Sequence, residues 1–79
     1  MSNQQEILKI ESWCFRNNCL IYPHPIDNNF VIIRISYKGK VIDGTILYKT
    51  RIKDLKKGDL NWTEAIRKLQ KQYYDNYNK

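Results

Sequence analysis

Residues 30–37, Phe-Val-Ile-Ile-Arg-Ile-Ser-Tyr, followed by Lys38-Gly39-Lys40, decide the fold. A run this rich in β-branched and aromatic side chains reads as a strand. Alternation sends Val31, Ile33, Ile35 and Tyr37 to one face and Phe30, Ile32, Arg34 and Ser36 to the other. Lys38-Gly39-Lys40 predicts a tight turn in which Gly supplies a positive φ. A return strand is expected over residues 41–50, with Ile42, Gly44, Ile46 and Tyr48 on the core face. Val41, Asp43, Thr45, Leu47 and Lys49 then face outward. The outer face is mixed, with charges in the middle and Phe30, Ile32, Val41 and Leu47 around them. A sheet covered on one side and wet on the other has this pattern.

Upstream, residues 19–22 read as a short strand. Pro23 and Pro25 lack N–H groups, which interrupts regular pairing there and places the strand at a sheet edge. Asp27-Asn28-Asn29 reads as a turn. Residues 4–17 form a helix that Ser2 or Asn3 can cap, with Gln5 or Glu6 as the reciprocal acceptor. Ile7, Ile10, Trp13 and Cys14 share one side. Leu8 and Phe15 widen that side beyond half the circumference, as in a helix that sits between two surfaces or touches a partner. Asn17-Asn18 ends it. Downstream, residues 51–60 form a basic connection pinned by Ile52 and Leu55. Asn61 caps a last helix, with Glu64 at the capping-box position and Leu60 and Ala65 at staple spacing. Trp62, Ala65, Ile66, Leu69, Tyr73 and Tyr77 form its apolar stripe; Arg67, Lys68 and Lys71 lie on its wet face. The expected fold is therefore α+β, one domain over residues 1–79. Its order is α-β-β-β-α, a three-stranded antiparallel sheet with two helices packed on one face.

With 79 residues, the chain buries only about 60–65% of its unfolded surface, so a small core must be used well. No apolar run reaches the length of a membrane span. The first residues have neither the basic start nor the apolar block of a signal peptide, and a cytoplasmic protein is expected. Abundant Asn, Lys, Ile and Tyr fit AT-rich coding, as in a low-GC bacterium or a phage or mobile element.

The net charge of +6 is regional. Residues 38–71 hold ten cations, Lys38, Lys40, Lys49, Arg51, Lys53, Lys56, Lys57, Arg67, Lys68 and Lys71, against Asp43, Asp54, Asp59 and Glu64. The segments on either side are balanced. A basic region raises the local concentration of anionic partners, nucleic acid first among them. A solvated face that keeps a small protein soluble has the same composition.

Catalytic and metal patterns are thin. Cys14, Cys19 and His24 are spaced C-x4-C-x4-H, but a structural zinc site needs a fourth ligand and Asp27 is a poor substitute. Reduced thiols are expected in the cytoplasm. His24 is the only histidine, no nucleophile stands beside it, and no Gly-rich phosphate loop is present. No enzyme activity, metal or cofactor is expected.

The element order resembles the double-stranded-RNA-binding domain, which is also α-β-β-β-α. Residues 30–40 are similar to that family's central hairpin, and Lys56-Lys57 before the last helix to its phosphate-binding lysines. The family's Gly-rich entry into a Ser-Lys-Lys helix start is replaced by Asp54-Leu55-Lys56-Lys57-Gly58-Asp59. The hairpin with a terminal helix also looks like the arm-binding domains of tyrosine integrases.

The expected function is a non-catalytic nucleic-acid-binding module, with DNA or RNA phosphates held by Lys38, Lys40, Lys53, Lys56, Lys57, Arg67, Lys68 and Lys71. The alternative is a phage or mobile-element inhibitor or adaptor. It would bind a host protein or nucleoprotein complex through Phe30, Ile32, Arg34, Val41 and Leu47. No membrane partner is expected, and the protein is a monomer or homodimer.

Overall fold

The computed structural model describes residues 2–78. Its elements are α1 (Ser2–Arg16), β1 (Leu20–Pro25), β2 (Phe30–Tyr37), β3 (Lys40–Asp43), β4 (Tyr48–Lys49) and α2 (Trp62–Tyr77), with a 3-10 turn at Ile52–Asp54. All strand pairs are antiparallel. β2 is central, with β1 on one side and β3 and β4 in succession on the other. The fold is the expected α+β arrangement. α1 runs from Ser2 to Arg16, two residues earlier at its start and one at its end than expected. The capping assigned to Ser2 or Asn3 falls on side chains outside those described.

The core joins Ile10, Trp13 and Cys14 of α1 to Cys19, Ile21, Val31, Ile33, Ile35 and Tyr48. Trp62, Ala65, Ile66, Leu69, Tyr73 and Tyr74 of α2 pack against the same cluster. The β1 and β2 members are all odd-numbered, so both helices contribute to a core on one face of the sheet. On α1, Ile10, Trp13 and Cys14 are buried, whereas Leu8 and Phe15 stand in solvent. The wide apolar arc is thus only half used.

The return strand differs from expectation. Arg34 pairs with Asp43 and Val31 with Tyr48, so residues 44–47 span only Ile32 and Ile33 of β2. The extra residues number two, which preserves side-chain parity while breaking the ladder. Gly44 starts the excursion. Its N–H donates to the Ile33 carbonyl at 2.8 Å, and a Cβ there would lie 3.2 Å from that oxygen. Ile42 and Ile46, expected in the core, remain 52% and 50% exposed. The helices do not extend over β3, and every residue from 40 to 47 is exposed.

β1 also departs from expectation, because it stays paired through both prolines, to Pro25 opposite Val31. The Ile26 N–H donates to Phe30 O at 3.0 Å. Antiparallel alternation then turns the even-numbered N–H groups of β1 toward β2 and the odd-numbered ones toward solvent. Pro23 and Pro25 occupy solvent-facing positions, where a missing donor breaks no bond. β1 is the edge strand that the prolines predict.

The β2–β3 hairpin closes through Lys38 and Gly39, with φ of 51° and 77°. Two consecutive left-handed residues make the type I′ geometry that suits strand twist. The lysine bears part of that strain, and its ammonium lies 5.4 Å from the Tyr37 ring centre and 5.3 Å from that of Tyr77. Around it, Tyr37 meets Tyr73, Tyr77 and Trp13, and Trp13 meets Tyr74 edge-on at 5.9 Å. This aromatic cluster ties α1, β2 and the end of α2 together, each pair adding about 0.5–1.5 kcal/mol beyond area burial.

At its start α2 is held by two bonds. Asn61 Oδ1 accepts from the Thr63 N–H at 2.9 Å, as an N-cap does. The Trp62 indole N–H donates to Thr50 O at 3.1 Å, fastening the helix to the end of β4. Asn61→Ala removes the cap and is expected to cost about 1 kcal/mol. A thermal melt followed by circular dichroism should show a midpoint lowered by about 4–8 °C.

Candidate nucleic-acid interface

α2 runs back along β2, from Thr50 at one end of the sheet to the β2–β3 hairpin at the other. Its 16 residues span about 24 Å. The basic residues distribute around this rod. Lys38 and Lys40 stand at the hairpin beside its C-terminal end. Lys53 lies on the 3-10 turn, and Lys56 and Lys57 on the tight turn before its N-terminal end, where the Asp59 N–H donates to Lys56 O at 2.9 Å. Arg67 and Lys68 lie on its exposed flank.

Two lysines in the basic region have acidic partners. Lys71 donates to Glu6 of α1 at 3.0 Å and approaches Asp75 at 3.4 Å, and these carboxylates raise its pKa. Lys49 contacts Asp59 at 3.3 Å. The Asp59 carboxylate also accepts from the Lys56 backbone N–H, and these bonds hold its pKa below the usual range. Among the described residues, Lys38, Lys40, Lys53, Lys56, Lys57, Arg67 and Lys68 form no ion pair.

Between α2 and the return strand lies a groove of about 380 Å³, lined by Ile33, Ile35, Ile42, Ile46, Ala65 and Leu69, with Lys68 as its charged wall. It continues past Ile35 and Ile42 to Tyr37, Tyr73 and Tyr77 under Lys38 and Lys40. Among the described residues, the lining of these two stretches includes Lys38, Lys40 and Lys68 and no carboxylate. The sequence hides this groove, because Ile42 and Ile46 have the spacing of core residues. Gly44 inside an otherwise regular strand is the signal that reveals it.

The open face of the sheet is organised in rows. Tyr22, Arg34 and Asp43 align across three strands. Arg34 Nε donates to Asp43 Oδ1 at 2.6 Å and Nη2 to Oδ2 at 3.2 Å, a bidentate geometry. This pairing raises the Arg34 pKa and lowers that of Asp43. Ile32 lies opposite His24, and Val41 opposite Ser36. Phe30, Ile32, Arg34 and Val41 therefore share this face. Leu47 lies in the bulge and lines a depression with Phe30, Leu55 and Leu60. Leu20, Tyr22 and His24 join the face because β1 continues through its prolines.

Cys14 and Cys19 are buried side by side, with the Cys19 N–H donating to Cys14 O at 2.8 Å. Burial pushes the Cys14 thiol up to about 12, with the neighbouring Cys19 adding to the effect. His24 projects from the opposite face of the sheet, so the C-x4-C-x4-H set does not converge. A folded-state pKa raised above the unfolded value contributes stability that is complete below the unfolded pKa of about 9 and is lost as pH rises toward 12. Stability in urea should accordingly fall above about pH 9, and less steeply in Cys14→Ala. Alkylation of both thiols at pH 8 should be slow in the native protein and fast in denaturant.

No helix among the described residues is long and apolar enough to cross a membrane. No family model, no curated protein and no solved structure matches this chain.

Proposed function

We propose that this protein is a small non-catalytic nucleic-acid-binding module that holds phosphates along α2 and at both of its ends. The observation that supports this reading is that seven exposed cations, Lys38, Lys40, Lys53, Lys56, Lys57, Arg67 and Lys68, form no ion pair among the described residues and spread along a rod of about 24 Å. Phosphates recur about every 3.4 Å along one strand, so a rod of that length parallels roughly seven of them. Lysines on turns and on a helix flank suit backbone contact rather than base reading, and slight sequence preference is expected. The likeness in element order to double-stranded-RNA-binding domains makes duplex RNA an early ligand to try.

The test is a titration of labelled duplex DNA, duplex RNA and single strands across a salt series. With about five phosphate contacts, duplex affinity should fall roughly five-hundredfold between about 50 and 200 mM salt. Absence of binding at low salt by folded protein would overturn the proposal. A second reading, a protein-binding inhibitor or adaptor, draws on the bare sheet face, where Leu20, Tyr22 and Val41 are exposed. Phe30→Ser with Ile32→Ser would then abolish partner capture and leave nucleic-acid affinity unchanged.

A further inference from the structure

The two edges of the sheet are treated differently. On β1 the solvent-facing backbone positions include Pro23 and Pro25, so an incoming strand finds too few donors. This is a recognised way to blunt a sheet edge. On β3 the Gly44 N–H bond to Ile33 O fixes the opposite parity. Lys40, Ile42 and Gly44 turn their backbone groups toward β2, and Val41 and Asp43 turn theirs toward solvent. Among the described residues, no proline or covering segment protects them. Val41 is 62% exposed and Ile42 52%. β4, by contrast, is flanked by the connection, through the Lys49–Asp59 contact.

We infer that the β3 edge pairs with the β3 edge of a second copy, antiparallel and about a two-fold axis at Ile42. The register follows from counting. Centring on Ile42 places Val41 opposite Asp43 of the second copy, twice. All four outward N–H and C=O pairs of the two edges are then used, in four hydrogen bonds. Centring on Val41 makes two such bonds and then runs into the left-handed Gly39. Centring on Asp43 sets two carboxylates face to face. Only the first register satisfies the edge and places the half-exposed Ile42 against its own copy. Because β1 is blocked, each copy offers one open edge, so pairing closes at two subunits instead of growing into a fibre. This inference does not depend on nucleic-acid binding. Its salt response has the opposite sign, since each copy carries +6 and screening favours their association.

A seam this short belongs with small, weak interfaces, with a dissociation constant on the order of 10–100 µM. Sedimentation of the full chain from about 10 µM to about 1 mM is expected to show monomer passing to dimer, more readily at higher salt. Val41→Pro removes an outward donor and no β2 bond. It should weaken the dimer roughly tenfold or more, with an unchanged far-UV spectrum. Ile42→Lys, which leaves the backbone intact, should do the same by placing like charges at the axis. The register is read by cross-linking. Facing residues of a non-hydrogen-bonded pair have Cα atoms about 4.5 Å apart, within disulfide range. Ile42→Cys should therefore form an intermolecular disulfide under mild oxidation, and Val41→Cys and Asp43→Cys should not. A monomer at about 1 mM would overturn the inference. So would a dimer that persists in both Val41→Pro and Ile42→Lys, or one that cross-links equally at 41, 42 and 43.

Discussion

Trp13→Ala is expected to remove a third or more of the protein's stability. Trp13 is 5% exposed and touches both Tyr37 of β2 and Tyr74 of α2. Truncating a buried tryptophan costs about 3–5 kcal/mol. At about 0.05–0.15 kcal/mol per residue, a chain of this size has roughly 4–12 kcal/mol in total. Urea unfolding followed by far-UV circular dichroism should show a midpoint lower by about 3 M, or no folded baseline. Phe15→Ala is the internal control. Phe15 lies two residues further along the same helix and is 81% exposed, so its loss should change stability by less than about 0.5 kcal/mol. Equal effects of the two substitutions would mean that α1 docks by a different face.

The second large effect concerns binding. Reversing Lys53, Lys56 and Lys57 to Glu should lower affinity for duplex nucleic acid at least about a hundredfold at moderate salt. The salt slope should fall by about three, because each phosphate-contacting lysine contributes about one. These side chains are exposed, and the Lys56 backbone bond to Asp59 at 2.9 Å survives the change. The melting temperature should therefore move little. Lys71→Ala supplies the contrast. Its ammonium already serves Glu6 and Asp75, so the variant should bind within about threefold of the parent while Lys68→Ala loses more. A triple variant that binds as the parent does would remove the connection from the interface.

The strength of residues 30–37 made the centre of the fold legible, because period-2 alternation in a β-branched run has few other solutions. The α2 boundary was legible from Asn61 and the stripe beginning at Trp62, which carry a cap and a 3.6 period together. Two features were not. Proline content suggested that β1 ends at Tyr22, since sequence does not show which backbone groups face the neighbouring strand. Only the register reveals that Pro23 and Pro25 face away. The bulge at 44–47 was hidden because two extra residues leave the alternation intact, and Ile42 and Ile46 keep the phase of core positions. The basic region was visible as charge, but the ion pairing that sets Lys71 apart joins residues 65 positions apart. The candidate site was accordingly legible in its chemistry and not in its division into paired and unpaired cations.

The clasp at the hairpin bears on how the protein is made. Tyr77 stacks on Tyr73 at 5.7 Å and meets Tyr37 at 5.3 Å, while Tyr74 is the partner that Trp13 reaches from α1. The N-terminal helix thus completes its docking against residues synthesised about sixty positions later. While α2 is still in the ribosome's exit tunnel, the core face of the sheet has only α1 to cover it. The core closes only once α2 has emerged, and an early stop codon before Tyr73 would yield a polypeptide for quality control, not a shorter working protein.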